Sequence, residues 1–90
     1  MTSDLANIPP DFKVLVSDIH GPEGPAIDSE GRLHVVSADD GAVLRVDDSG
    51  ATTEVASTGG RPNGLVFNPD GEMYVADAEL KAILRVDSNG

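Results

Sequence analysis

The sequence predicts an all-β protein made of β-propeller blades, with two four-stranded antiparallel units of 40 residues in an incomplete ring. Three observations predict this. Residues 11–50 align with 51–90 without a gap, and a period of this size is the mark of repeat architectures. Each unit divides into four short runs rich in Val, Ile and Leu, bounded by Gly, Pro, Asp and Asn. The central runs are apolar on both faces. A strand in a two-layer sandwich shows a polar face, whereas a propeller blade is covered by a neighbour on each side. An unclosed meander or a small barrel is the alternative.

The chain divides into a polar lead-in, 1–10, ending in Pro9-Pro10, a first repeat, 11–50, and a second, 51–90. The match is plainest late in the unit, where Ala42-Val43-Leu44-Arg45-Val46-Asp47 faces Ala82-Ile83-Leu84-Arg85-Val86-Asp87. The predicted strands are Phe12 to Val16 and its copy Thr52 to Ala56, then Pro25 to Ile27 and Leu65 to Phe67. Leu33 to Val36 and Met73 to Ala76 follow, then Val43 to Val46 and Ile83 to Val86. No window carries apolar residues at helical spacing for three turns, and Ala78 to Leu84 reads as a turn into a strand because its copy contains Gly41. The turns have the expected chemistry. Asn68-Pro69-Asp70-Gly71 is a type I turn closed by a glycine, and Asp28-Ser29-Glu30-Gly31 is its counterpart; Asp47 to Gly50 and Asp87 to Gly90 serve the next hairpin. Phe12 to Val16 opens the repeat and is expected outermost, completing a different blade from the one that follows it.

Composition narrows the function classes. The net charge is −10, with acidic residues spread along the chain, which argues against nucleic acid and anionic membranes and suits cations. There is no cysteine, so thiolate and disulfide chemistry are out. No apolar run is long enough to span a bilayer and the first residues do not have the pattern of a signal peptide, so a cytoplasmic protein is the default expectation. Gly-x-Ser-x-Gly, His-Glu-x-x-His and Walker elements are all missing, and Asp39-Asp40-Gly41 is too short for an EF-hand loop.

The candidate site lies in the repeat itself. Gly21-Pro22-Glu23-Gly24-Pro25 and Arg61-Pro62-Asn63-Gly64-Leu65 occupy the same place in adjacent units, so Glu23 aligns with Asn63. Both carry oxygen donors at the entry to the strand expected nearest the ring axis. Calcium takes six to eight oxygens from carboxylates, amide carbonyls and water; this pair is right in kind and too few in number. The plainer readings are a solvated loop carboxylate and a turn asparagine. His20 is a loop histidine that a metal-activated water could use as a general base, and His34, aligned with Tyr74 in a strand, is expected to pack.

Gly21-Pro22-Glu23-Gly24-Pro25-Ala26 with Gly31-Arg32-Leu33 resembles the opening of the SMP-30/gluconolactonase/LRE-like family, and Arg61 to Leu65 with Asn68 to Gly71 and Tyr74-Val75-Ala76-Asp77 resembles its later blades. The second element is also similar to the NHL repeat. The resemblance implies a six-bladed propeller holding a divalent cation, often calcium, at one end of its tunnel, and hydrolysis of lactones or related esters. It implies metal ligation by Glu23 and by Asn63. No residue here matches the family's catalytic Asp, so the catalytic group is unassigned. Three readings follow: a metal-dependent lactonase or esterase in complete form, a non-catalytic NHL-like binding propeller, or an inactive truncated product. The 90-residue chain is expected to lack activity as a monomer, and three copies associating as a homotrimer are expected to complete a six-bladed ring.

Overall fold

A computed structural model describes residues 4–87. After a short 3₁₀ turn at Asp4–Asn7 come seven strands: β1 (Pro22–Ile27), β2 (Leu33–Ser37), β3 (Ala42–Val46), β4 (Thr52–Ser57), β5 (Pro62–Phe67), β6 (Met73–Asp77) and β7 (Ala82–Val86). A second 3₁₀ turn, Ala38–Asp40, joins β2 to β3. The strands form two antiparallel meanders, β1-β2-β3-β4 and β5-β6-β7. Among the described residues there is no α-helix. These are propeller blades, one with four strands and one with three.

The staggering expected from the repeat is present. β4 belongs by sequence to the second repeat but pairs with β3 and completes the first blade. Its copy forty positions earlier departs from expectation: Phe12 to Val16 forms no strand. The reason is the missing partner. A strand needs a ladder, and the sheet this segment would complete precedes the first blade. Phe12 stays 68% exposed and Leu15 59% exposed. By the same logic the second blade has three described strands rather than four. Residues 88–90, which carry most of the predicted Asp87 to Gly90 turn, lie outside the described residues.

Three hairpin turns at one end share a device. The Asp28 carboxylate accepts from the backbone N–H of Glu30 and of Arg32, at 2.9 and 2.8 Å. Asn68 Oδ1 accepts from the N–H of Asp70 and of Glu72, at 3.1 and 2.8 Å. Asp47 Oδ1 does so for Ser49 and Ala51, at 2.9 and 3.0 Å. A side-chain oxygen thus replaces water on the turn amides, which is why Asp and Asn recur at these positions.

The core lies between the blades. Val36, Ala38 and Val43 of the first meet Met73 and Val75 of the second, with Val55, Ala56, Leu65 and Phe67 packed around them. Period-two alternation sends Met73, Val75 and Asp77 toward this seam. The uncovered face of the second blade therefore carries their strand neighbours, with Val66 58% and Ile83 71% exposed. Met73 and Val75 are in the seam and Val35 is only 6% exposed. The segment ahead of β1 runs past the outer side of the first blade, where Lys13 and Leu15 border one cleft with Leu33 and Val46.

The two inner strands, β1 and β5, approach most closely at Gly24. It adopts φ +53°, and a Cβ there would lie 2.9 Å from the Leu65 amide N and 3.1 Å from Gly64 Cα. Both terms oppose a side chain: left-handed backbone costs about 1–2 kcal/mol for an L-residue, and backbone atoms cannot yield. Gly31 has φ +80° but open space around it. Gly24→Ala is therefore expected to cost about 2–4 kcal/mol and Gly31→Ala only about 1–2 kcal/mol, read from urea midpoints; equal losses would mean that the β1–β5 contact is not tight.

Candidate functional site

The candidate residues gather at the end of the blades opposite the three Asx-type turns. The N-terminal ends of β1 and β5 lie here, with the β2–β3 turn and the loop from β4 to β5. Glu23 and Asn63 each stand where their strand breaks register with its partner. The β1–β2 ladder shifts between Glu23 and Ala26, and the β5–β6 ladder shifts between Pro62 and Gly64. A bulge re-aims the side chains around it. Both residues are exposed. Each directly precedes the glycine at the β1–β5 contact, so the fold sets them on adjacent inner strands. Among the described residues, neither side chain has a hydrogen-bond or ion-pair partner.

Around them the loops are tied down by polar contacts. Ala38 N–H donates to Gly21 O at 2.9 Å and Asp39 N–H to His20 O at 3.0 Å, fixing the chain ahead of β1 against the β2–β3 turn. Ser37 Oγ, 1% exposed, donates to Asp40 Oδ2 at 2.9 Å. His20 Nδ1 lies 3.1 Å from the same oxygen. Serine, histidine and aspartate thus meet, but the serine hydroxyl is bonded to the carboxylate and not to the imidazole. A nucleophilic triad needs serine on histidine, so this is a loop clasp. The Asp40 hydrogen bond, then its charge, raises the His20 pKa, which favours the imidazolium and works against a general-base role.

The second blade uses a different clasp. Asp77, 3% exposed, accepts from Thr58 Oγ1 at 2.6 Å, from Arg61 N–H at 3.0 Å and from Leu80 N–H at 2.9 Å. Burial pushes its pKa up, but the Thr58 hydroxyl and the backbone amides outweigh this and hold it below 3.8. Across the seam, Arg61 Nη1 pairs with Asp39 Oδ1 at 2.6 Å. The pair is about half exposed on both sides and so adds little stability, but it places one cation and one anion beside the Glu23–Asn63 end. Sequence reasoning had set Asp39 and Asp40 aside as too short for a calcium loop and gave no role to Arg61. Their only signal was departure from the repeat, since Arg61 faces Gly21 and Asp40 faces Leu80.

His34 does pack, as expected of a strand residue. It is 4% exposed, lies edge-on to Phe67 with centroids 4.8 Å apart, and donates from Nδ1 to Arg32 O at 3.1 Å. Burial lowers its pKa. It borders a cleft between the blades at the opposite end, about 770 Å³, lined also by Arg32, Phe67 and Met73. The Arg32 guanidinium there is engaged by Asp28 and Glu30.

Two ligands are too few for a cation that takes about six to eight oxygens. Among the described residues, no three His, Cys, Asp or Glu side chains are grouped to hold a metal ion. Glu23 and Asn63 fit a cation in donor type but do not make a complete site. Nor is any described helix long and apolar enough to cross a membrane.

Comparison with known proteins supports the fold class. A family model described as strictosidine synthase-like, N-terminal, matches residues 13–46, a stretch that includes Glu23. No curated protein matches. Among solved structures, the PQQ-bound aldose sugar dehydrogenase of Streptomyces coelicolor has a TM-score of 0.70 at 23% identity, over 87% of this chain and 28% of that one. Virginiamycin B lyase of Staphylococcus aureus gives 0.65 at 21%, over 77% and 24%. A streptogramin B lyase gives 0.69 at 18%, over 84% and 27%. The aligned region spans about a quarter of these proteins' lengths. With the two blades described above, they place the chain in the β-propeller class, related in fold to enzymatic propellers.

The clasps give a pH prediction. A depressed Asp77 pKa means that its stabilisation is present above the unfolded value of 3.8 and is lost as pH falls through the lower folded one. Asp28, Asp40 and Asp47 are depressed as well, so the chain is expected to unfold in acid. Asp77→Asn replaces an acceptor with an amide donor facing Thr58 or the loop N–H groups. It is expected to lower the melting temperature at pH 7 and to flatten its fall between pH 4 and 2, followed by circular dichroism. A wild-type acid slope in the variant would remove Asp77 from this account.

Proposed function

We propose that this blade pair belongs to an SMP-30/gluconolactonase-like propeller which, as a complete ring, is a divalent-cation-dependent hydrolase of lactones or related esters. The observation that carries the reading is the matched pair Glu23 and Asn63. The two oxygen donors hold the same repeat position beside register shifts on adjacent inner strands, and among the described residues neither side chain has a partner. Where a carboxylate or amide of this chain is buried or closes a turn it has a hydrogen-bond partner, as Asp28, Asp77 and Asn68 do, whereas the exposed Glu23 and Asn63 side chains are open to an outside ligand. In this reading Glu23 and Asn63 supply two oxygens to a cation, calcium by donor type, and further blades supply the rest. The bound cation would serve as a Lewis acid toward an ester carbonyl. Arg61 and Asp39 flank that end and would orient a polar substrate. The catalytic group remains to be supplied by other blades.

The match over residues 13–46 favours a second reading, a complete propeller of the strictosidine synthase-like kind. An NHL-like binding propeller gives no particular use to a carboxylate at Glu23.

Calcium titration of the assembled chain by calorimetry is expected to show binding that Glu23→Gln weakens about tenfold or more and Asn63→Ala weakens less, since only Glu23 carries a formal charge. Binding that Glu23→Gln leaves unchanged would sink the ligand assignment. With a panel of small lactones and calcium, a verified monomer of the 90-residue chain is expected to show no turnover in a pH-indicator assay. Calcium-dependent turnover by that monomer would overturn the need for a complete ring.

A further inference from the structure

We infer that residues Phe12–Ser17 are a donor strand for the open edge of β7 on a second copy of this chain, and that copies associate head to tail through this pairing. Three observations carry the inference, none of which depends on the catalytic reading above.

The first is complementarity of what lacks a partner. Among the described residues nothing pairs with the outer edge of β7, and Phe12–Ser17 pairs with no strand. An open edge is a template for a further strand. The second is that the repeat supplies the register. β3 and β4 pair as Ala42↔Ser57, Val43↔Ala56, Leu44↔Glu54, Arg45↔Thr53 and Val46↔Thr52, with a bulge that leaves Val55 out of the ladder. Moving β3 forward and β4 back by one repeat sets Ala82 opposite Ser17, Ile83 opposite Val16, Leu84 opposite Val14, Arg85 opposite Lys13 and Val86 opposite Phe12. Leu15 then takes the bulged place of Val55, which packs on the core. The like charges of Lys13 and Arg85 are tempered by Glu72 and Asp87, which lie 3.6 and 3.8 Å from the Arg85 guanidinium.

The third is that the donor is already in place. A Cβ on Gly50 would lie 3.0 Å from Leu15 O, so the segment runs beside the first blade, against its β3–β4 turn. Seating β7 of another copy against it brings the bare face of that copy's second blade, with Val66 and Ile83, onto the outer side of this copy's first blade. Such a contact is heterologous, and it closes into a ring when the rotation between copies allows. Three copies would bring six blades.

The chain contains no cysteine, which makes a direct test simple. Single variants Val14→Cys and Leu84→Cys, mixed and oxidised, are expected to form a 14–84 disulfide between chains at least tenfold faster than a mixture of Val14→Cys and Arg85→Cys, whose side chains fall on opposite faces. Light scattering after size exclusion of the unmodified chain is expected to give a multiple of 9.3 kDa, three-fold for the closed ring. Val14→Pro removes a ladder N–H from a segment outside the folded sheets, so it is expected to abolish association while leaving the circular dichroism spectrum unchanged. A monomer at 100 µM, or no preference for the 14–84 linkage, would overturn the proposal, and would leave β7 to be covered by further blades of a longer chain.

Discussion

The fold depends on one apolar seam. Neither blade can bury its strands alone, because a single antiparallel meander has two faces and little depth. Val36 and Val43 from one blade and Val75 from the other reach complete burial only because they meet. Apolar burial contributes about 25 cal/mol per Å², and the buried cluster that collects it here draws on both blades. Polar groups then fix how the seam is aligned. Gly24 lets the inner strands touch, and the Asp39–Arg61 pair crosses the seam at the candidate-site end.

That division of labour separates the two ends of the molecule. At the hairpin end, Asp28, Asp47 and Asn68 spend their side-chain oxygens on turn amides, so they are structural. At the other end, loops are clasped by Ser37–Asp40 and by Asp77, while among the described residues the oxygens of Glu23 and Asn63 have no partner. Residue type alone does not distinguish these sets, since both are Asp, Glu and Asn in Gly-Pro-rich loops. What distinguishes them is whether the backbone nearby already presents donors for the oxygen. At a turn it does, and at a bulge on an inner strand it does not.

The same seam explains what the pair of blades leaves unfinished. A blade in a ring is covered on both sides. Here the first blade is covered by the second and bordered by the segment around Leu15, while the second keeps Val66 and Ile83 in water. Val43 and Ile83 occupy the same repeat position, one fully buried and the other largely exposed. The difference lies in neighbours and not in the residues themselves. The fourth strand follows the same rule: Thr52–Ser57 is a strand because β3 is beside it, and Phe12 to Val16, its copy, is not one where no sheet edge is at hand.

The sequence by itself determined the repeat, the all-β class, the turns and the staggering of strands across units, because period, β-branched runs and Asp, Asn, Gly and Pro at hairpin positions are local properties. It also determined that Glu23 and Asn63 are equivalent. Only the tertiary structure decided that Phe12 to Val16 remains outside any sheet, that Met73 and Val75 face the seam, and that Asp39 and Arg61 join across it. It likewise decided that Ser37, Asp40 and His20 form a clasp in an order unsuited to nucleophilic attack. These outcomes depend on which surfaces meet. Strand formation needs a partner edge, burial needs an opposing face, and a hydrogen-bond order depends on distances between loops about twenty residues apart, none of which is encoded in a local window of sequence.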